Sequence, residues 1–438
     1  MKPTVVKFGG SSLASAEQIK KAAAIIKSDP ARRFAVVSAP GKRDSGDTKV
    51  TDLLYRCYDL AVEMEDFYPV LEQVKARYDD IVAGLGLSID LTPDIEAIRD
   101  HLLTAPQRDY MASRGEYLNA RVISAYLDFP FHDAAEIVKF SADGSFLEEE
   151  TNRAVAGVLG SEDCAVIPGF YGSAPDGTIR TFSRGGSDIT GSIIARGVNA
   201  ALYENWTDVS GMLFTDPRVV ENPKSISIIT YEELRELSYM GASVMHEDAV
   251  FPVRKAGIPM NIRNTNRPED PGTKIVPRLP AGTAVPPVTG VAGRKGFSTI
   301  YIAKPMMNGE VGFAARFLQI IADHGVGLEH CPSGIDTMSA IVETELLAPV
   351  RESVLRQMQE KLDPETLFVE DNLTMIAVVG EGMVAAKGIA ARVMNAVTKA
   401  GVNIRMIDQG SSELNIIIGV KTADYEKALR SIYQELAD

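Results

Sequence analysis

The stretch VVKFGGSSLAS, Val5–Ser15, puts a lysine ahead of two glycines and two serines. A phosphate-binding loop of the G-x-x-x-x-G-K-[ST] kind has the opposite order, with the lysine last. The alternating, β-branched run Thr4–Phe8 reads as a strand, so Lys7 belongs to the strand end and Gly9-Gly10 to the turn after it. Ser15 with Gln18 makes a capping-box pattern, and Ile19, Ala22, Ala23 and Ile26 then recur at helical spacing. Asp29-Pro30 stops that helix, and Phe34–Ser38 is the next apolar strand. The unit is β-loop-α-β, with its glycine loop at the carboxyl end of the first strand, where α/β sheets bind ligands. Glycines let backbone N–H groups approach an anion, and the following helix adds a positive N-terminus. A lysine at the strand end can then bridge transferred and accepting oxygens as a point charge.

Outward from that loop, the chain is 438 residues long, which suits two or three domains rather than one core. A net charge of -14 argues against nucleic acid or an anionic membrane as partner. No apolar run is long enough for a membrane span, and no signal-peptide core opens the chain. Cys57, Cys164 and Cys331 are isolated and odd in number, as expected of reduced thiols in a cytoplasmic protein. The five histidines show no metal-ligand spacing, so the sequence predicts no metal held by protein side chains.

A second glycine loop is TFSRGGSDITGS, Thr181–Ser192, with Arg184 before the glycines and Asp188 at the start of the next helix. Asp188 could simply cap that helix. Two glycine loops, each with a cation at its mouth, fit a site for two anionic substrates better. In NWTDVSGMLFTDPR, Asn205–Arg218, a strand ending at Thr207-Asp208 and a turn with Asp216-Pro217-Arg218 could cradle a nucleotide or its Mg²⁺, or be ordinary turn chemistry. SRGEYLNA, Ser113–Ala120, sets Gly115-Glu116 near a helix start, where a carboxylate is favoured by the dipole alone.

Lys49 to about Leu127 is mostly helical in pattern, and short strands with glycine loops return from Ala165 to Asp208. The proline-rich stretch Pro268–Pro287 reads as a linker. Beyond it lies a repeat: GFAARFLQIIADHGV, Gly312–Val326, matches GIAARVMNAVTKAGV, Gly388–Val402, with both glycines in register. Each copy follows an apolar strand, Ser298–Ala303 or Thr374–Val379, which predicts two small α+β modules.

KFGGSS at 7–12, GE at 115–116, PGFYG at 168–172, SRGGSD at 183–188 and WTDVSGMLFTDPR at 206–218 together resemble the aspartate kinase family. They come in that family's order, followed by IRNTNRPEDPGT, Ile262–Thr273, and by a tandem pair of ACT-type modules. VSAPGKRDSGDTKVTDLL, Val37–Leu54, and EHCPSGIDTMS, Glu329–Ser339, are similar to a bacterial monofunctional subgroup. The resemblance implies an α/β amino-acid-kinase fold, a mainly parallel sheet between helices over residues 1–285. A regulatory region of two α+β ACT-type modules would fill 286–438, with repeat units near 298–345 and 374–420.

It also implies phosphorylation of L-aspartate by ATP with Mg²⁺, giving 4-phospho-L-aspartate on the route to diaminopimelate, lysine, threonine and methionine. Carried over by position, Lys7 and Asp188 are catalytic, and Lys7, Gly9, Gly10, Ser11, Thr207, Asp208, Asp216 and Arg218 bind ATP. Thr51, Glu116, Arg184 and Ser187 bind aspartate. Feedback inhibition is implied, by lysine acting alone or with threonine. Its candidate pocket is Met307, Asn308, Gly309, Glu310 and Val311 with Gly327, Leu328 and Glu329. A homodimer or higher homo-oligomer is expected, since small α+β modules can pair their edge strands. Three departures stand out. An insertion separates Ser38 from Thr51, Ser243 occupies the position of a nucleotide-site lysine, and GGSS replaces GGTS. The rival readings are another enzyme of the superfamily, such as a glutamate 5-kinase or carbamate-type kinase, and an inactive amino-acid sensor.

Overall fold

The structure, a computed structural model, describes residues 2–183, 185–242, 247–283 and 285–437. Arg184 and Ser243 lie outside the described residues. The chain forms two compact units. One comprises Met1–Met212, Ile226–Tyr231 and Val244–Pro280, and the other Leu213–Ser225, Glu232–Ser243 and Ala281–Asp438.

In chain order the elements are β1 (Thr4–Phe8), α1 (Ala16–Lys27) and β2 (Arg32–Val37), then α2 (Val50–Val62), α3 (Tyr68–Leu85), α4 (Thr92–Thr104) and α5 (Arg108–Leu127). After α6 (Ala134–Ile137) and α7 (Glu148–Leu159) come β3 (Ala165–Pro168), the hairpin β4 (Tyr171–Ser173) and β5 (Ile179–Thr181), α8 (Gly186–Gly197) and β6 (Leu202–Thr207). The series closes with β7 (Ile228–Thr230), α9 (Tyr231–Tyr239), α10 (Phe251–Ala256), β8 (Met260–Asn264) and β9 (Thr273–Val276). The first unit's seven-stranded sheet has the order β3-β2-β1-β6-β8-β9-β7. All its neighbours are parallel except β8 and β9. The chain leaves β1 toward β2 on one side and returns to β6 on the other, so order reverses between β1 and β6. A crevice opens at such a point, at the carboxyl ends of the strands.

All five residues of β1 are buried. A parallel strand in mid-sheet is covered on both faces by crossover helices. The stretch Pro268–Pro287 is not wholly a linker, because Thr273–Val276 within it is the sheet strand β9. Four residues between proline-rich flanks are too few to show a period, and only tertiary pairing identifies them as a strand. On the helical side, Val6, Phe8 and Leu13 pack in one core with Leu54, Val74, Tyr78 and Leu118 from α2, α3 and α5.

Along β6, side chains alternate between faces. Glu204 and Trp206 share one face, and the Glu204 carboxylate accepts from Arg32 Nε at 2.8 Å and Nη2 at 3.2 Å. It also accepts from Trp206 Nε1 at 2.9 Å, and Arg263 Nη1 lies 3.7 Å away. Both guanidinium groups lie over the Trp206 ring, at 5.3 and 4.5 Å from its centroid. Glu204→Ala would leave two arginines without their shared anion, and we expect it to cost about 3–5 kcal/mol. Trp206 is the only tryptophan in the chain, so its fluorescence during urea unfolding reads this loss directly.

The second unit carries β10 (Gly290–Ala303), α11 (Phe313–Asp323), β11 (Thr337–Glu343), α12 (Thr344–Leu347), α13 (Arg351–Leu362) and β12 (Thr366–Val379). It ends with α14 (Ile389–Lys399), β13 (Ile404–Asp408), β14 (Asn415–Lys421) and α15 (Tyr425–Leu436). Its sheet is antiparallel in the order β11-β10-β12-β14-β13. The repeat noted above is the pair α11 and α14. Gly312 and Gly388 are their N-caps at φ 81° and 89°, and Gly325 and Gly401 follow them at φ 73° and 65°. Left-handed backbone at all four positions explains why glycine recurs there. The strands around the repeat are longer than the sequence suggested. β10 and β12 pair from Gly290↔Val379 to Ala303↔Thr366, and each serves both modules. One end packs Ile300 and Ile302 against Phe317 of α11, the other Ile376 and Val378 against Val393 of α14. The modules therefore interleave instead of following one another. Among the described residues, no helix is long and apolar enough to cross a membrane.

Candidate active site

Lys7 and Asn205 sit opposite each other in the β1–β6 register, next to the point where strand order reverses. Lys7 is 6% exposed, and its Nζ lies 2.5 Å from Asp188 Oδ1 and 3.4 Å from Asn205 Oδ1. Asn205 Nδ2 donates to the same Asp188 oxygen at 2.9 Å. The three side chains form a closed triangle at the strand ends. Asp188 does not cap α8. Gly185, at φ 60°, is the N-cap and Asp188 is the third helical residue, its carboxylate spent on Lys7 and Asn205. Asn205 was quoted within its motif above but given no role. Its role depends on β6 lying beside β1, which no local pattern reveals.

The first glycine loop is built by close backbone approach. Gly9 N donates to Trp206 O at 3.0 Å, and Gly41 N to Gly10 O at 2.8 Å. A Cβ on Gly41 would lie 2.6 Å from Gly10 C and 2.9 Å from Ser11 N, and one on Gly10 would lie 2.9 Å from Ala39 O. The loop passes into a 3₁₀ turn, Gly10–Leu13, and α1 starts only after it, with Ser15 Oγ accepting from Gln18 N at 3.4 Å. Ser15 caps α1 as expected, but the reciprocal half of the capping box is absent, since Gln18 Oε1 has no hydrogen-bond partner and Nε2 donates to Asn266 Oδ1 at 3.2 Å. The cap sets the N-terminus of α1 back from the glycines. Ser11 is exposed, whereas Ser12 is buried and its Oγ accepts from Thr265 Oγ1 at 2.8 Å.

Glu116 is in the interior of α5, eight residues after Arg108, and not near the helix start. Its carboxyl is 6% exposed and Oε2 has no hydrogen-bond partner. Burial pushes its pKa up to about 8, against the opposing pull of the Ala39 N–H and the charges of Arg114 and Lys7. The helix dipole is therefore not what holds this carboxylate. A buried acid with a raised pKa is ionised readily by a cation brought beside it. Gly115 lets α5 press on the Ser38–Gly41 loop, since a Cβ there would meet Ala39 Cβ at 2.7 Å. Tyr78 Oη donates to Gly115 O at 2.6 Å, and Asn119 Nδ2 to Ser38 O at 2.7 Å.

The segment bearing Ser187 is packed as tightly. Gly169 is needed because a Cβ would lie 2.7 Å from Ser187 Oγ, and Gly186 because one would lie 2.4 Å from Phe170 Cδ2. Phe170 itself is at φ 81°, a strained region for an aromatic residue, held by Thr190 Oγ1 accepting its N–H at 3.0 Å. Thr51 is the second residue of α2 and half-buried, and Val50 N donates to Pro40 O at 3.3 Å. Thr207 Oγ1 donates to Asp208 Oδ1 at 3.2 Å at the end of β6.

Asp216 and Arg218 belong to the other unit. There Asp216 accepts from the Arg218 N–H at 2.9 Å and from Arg218 Nη2 at 2.8 Å. In the same unit Met307–Gly309 forms a 3₁₀ turn, and Glu310 is ion-paired with Lys304 at 2.9 Å and with Arg316. Glu329 accepts from Tyr239 Oη at 2.5 Å and lies 4.0 Å from Arg294. Both acids proposed to face an effector thus already have cationic or phenolic partners. Asn308 and Val311 are exposed, as are Gly327 and Leu328.

Residues 2–264 match the amino acid kinase family, and residues 376–436 match the ACT domain. Aspartokinase 3 of Bacillus subtilis is 43% identical, covering 98% of both chains. The crystal structure of Clostridium acetobutylicum aspartate kinase, an allosteric enzyme, superposes with a TM-score of 0.93 at 48% identity, over 99% of this chain and 100% of that one. Escherichia coli aspartokinase III in complex with aspartate and ADP has the same fold, with a TM-score of 0.77 at 23% identity and complete coverage of both. The glycine loop with its strand lysine, the buried Glu116 and the interleaved α+β modules thus occur in a chain that belongs to the aspartokinase family.

Proposed function

We propose that this chain transfers the γ-phosphoryl group of ATP to the β-carboxylate of L-aspartate, giving 4-phospho-L-aspartate and ADP. The Lys7–Asp188–Asn205 triangle at the sheet's switch point carries this reading, with Glu116 buried beside it. A β-carboxylate oxygen attacks phosphorus, the bond from phosphorus to the β–γ bridging oxygen breaks, and its electron pair leaves on ADP. The nucleophile is already ionised, so no general base is needed. The barrier lies in bringing two anions together and holding them in line. Lys7 would screen the reacting oxygens, with Asp188 and Asn205 fixing the direction of its ammonium. Gly9, Gly10 and Ser11 offer backbone donors to the phosphates, and Thr207 and Asp208 border the nucleotide. Glu116 would take the ammonium of aspartate and Arg184 its α-carboxylate as a bidentate partner, with Ser187 and Thr51 lining the same substrate.

Mg²⁺ fits this donor set, because it is held mainly by phosphate oxygens with one or two protein carboxylates, and Asp208 at the end of β6 is the acid at hand, Asp188 being engaged with Lys7. It would neutralise charge on the phosphates. In this reading Gly41→Ala moves the Gly10–Ser11 backbone and raises the KM for ATP about tenfold with little change in that for aspartate, as steady-state kinetics would report.

The second unit would act as the sensor of an end-product amino acid, lysine alone or with threonine, in a cytoplasmic homodimer or higher homo-oligomer. Because Glu310 and Glu329 are already paired, a cationic effector would have to exchange partners with them. ADP release, measured with and without aspartate, lysine and threonine, tests the reading. Turnover that requires aspartate and is suppressed by lysine supports it. Turnover with glutamate or carbamate instead of aspartate, or none from folded protein, opposes it.

A further inference from the structure

Arg77, on α3, is 5% exposed and spends its guanidinium on two loops at once. Nη1 donates to Ala14 O at 3.2 Å, the residue that closes the 3₁₀ turn after the glycine loop. Nη2 donates to Thr48 O at 3.1 Å and approaches Gly41 O at 3.5 Å, and it is ion-paired with Asp47. Asp47 is gripped from the other side by Arg43, which donates from its backbone N at 2.9 Å and from Nε at 3.0 Å. Residues 41–48 lie between Ser38 and Thr51, in the stretch that carries the insertion, and lead through Lys49 into the α2 turn that bears Thr51. Gly41 is the residue pressed onto Gly10.

We propose that Arg77 is a positioning residue that fixes the glycine loop relative to the Thr51 loop, so that nucleotide and aspartate are held at reacting distance. The inference rests on the kinase reading above. A planar fork with five donors can reach carbonyls of both loops together, whereas a lysine ammonium reaches one cluster of acceptors. The insertion would otherwise hang from its two ends. Arg77 ties its middle to a helix in the unit's core.

The test is steady-state kinetics on the full chain for wild type, Arg77→Lys, Arg77→Ala and Asp47→Asn, with the thermal midpoint of each. Wild-type turnover establishes the kinase reading independently. Arg77→Lys is then expected to raise the KM of both substrates about tenfold and lower kcat by a similar factor. Millimolar guanidinium should restore part of kcat/KM to Arg77→Ala and leave wild type unchanged. Asp47→Asn, which weakens the hold of Arg77 on the insertion and leaves its bond to Ala14 O, should raise the KM for aspartate more than that for ATP. If the Arg77 variants fail to fold, Asp47→Asn decides alone. KM values for both substrates within about twofold of wild type in the decisive variant, with kcat falling only as the folded fraction falls, would overturn the proposal.

Discussion

Lys7→Met is expected to lower kcat by about 10³-fold, close to 4 kcal/mol of transition-state stabilisation, while the KM for ATP changes much less. Methionine keeps the aliphatic stem that fills the end of β1 and removes only the ammonium 2.5 Å from Asp188. Charge builds between the attacking carboxylate and the leaving phosphate in the transition state, and that is where a fixed cation in a water-poor crevice contributes most. Asp188 would lose its cation but keep the Asn205 amide at 2.9 Å, so the fold should survive with a lowered thermal midpoint. Single-turnover measurements separate this loss from slow product release. A kcat within a fewfold of wild type would remove Lys7 from the chemistry.

Glu116→Gln has the second large effect, on aspartate binding. With its pKa raised to about 8 by burial, the Glu116 carboxyl is mostly protonated in the ligand-free protein at neutral pH. The ammonium of aspartate would ionise it, so binding at pH 7 should release about one proton per site. Titration calorimetry in buffers of different ionisation enthalpy counts that proton. Glu116→Gln should abolish the release and raise the KM for aspartate about 10²-fold, the cost of an ammonium left beside a neutral amide. The linkage to stability has a definite sign. A carboxyl whose folded pKa lies above its unfolded value favours the folded state at low pH, and this contribution is lost as pH rises from 4.5 through about 8. The loss is of the order of 5 kcal/mol at its upper limit. The glutamine variant lacks that slope, so its urea midpoint should fall less than the wild type's between pH 5 and pH 8. Equal slopes would place the raised acid elsewhere.

These effects depend on geometry that the sequence revealed only in part. The strand lysine, both glycine loops and the N-cap at Ser15 were legible because each is a local pattern, complete within a dozen residues, whereas the Gln18 half of the expected capping box did not form. The repeated glycines were visible too, and their reason is local, as left-handed caps of α11 and α14. What escaped reading depends on pairing between distant segments. Asn205 matters because β6 lies against β1, and Glu116 because α5 is sunk against the Ser38–Gly41 loop, not because of a helix terminus. Thr273–Val276 is a strand only by virtue of β7 and β8. Arg77 reaches Ala14 and Thr48 across intervals of 63 and 29 residues, with no motif to announce it. The interleaving of the two modules follows from strands long enough to serve both, and in a sequence such length looks like two separate apolar runs.

The most direct measurement is the identity of the product. The protein, ATP, Mg²⁺ and L-aspartate are incubated with hydroxylamine, which traps an acyl phosphate as its hydroxamate, and the aspartyl hydroxamate is resolved by chromatography and mass spectrometry. The roles proposed above, Lys7 at the acceptor oxygen and Glu116 and Arg184 for the α-ammonium and α-carboxylate, predict the β-hydroxamate in amounts that match ADP released. The α-hydroxamate, or ADP released without any hydroxamate, would contradict that arrangement.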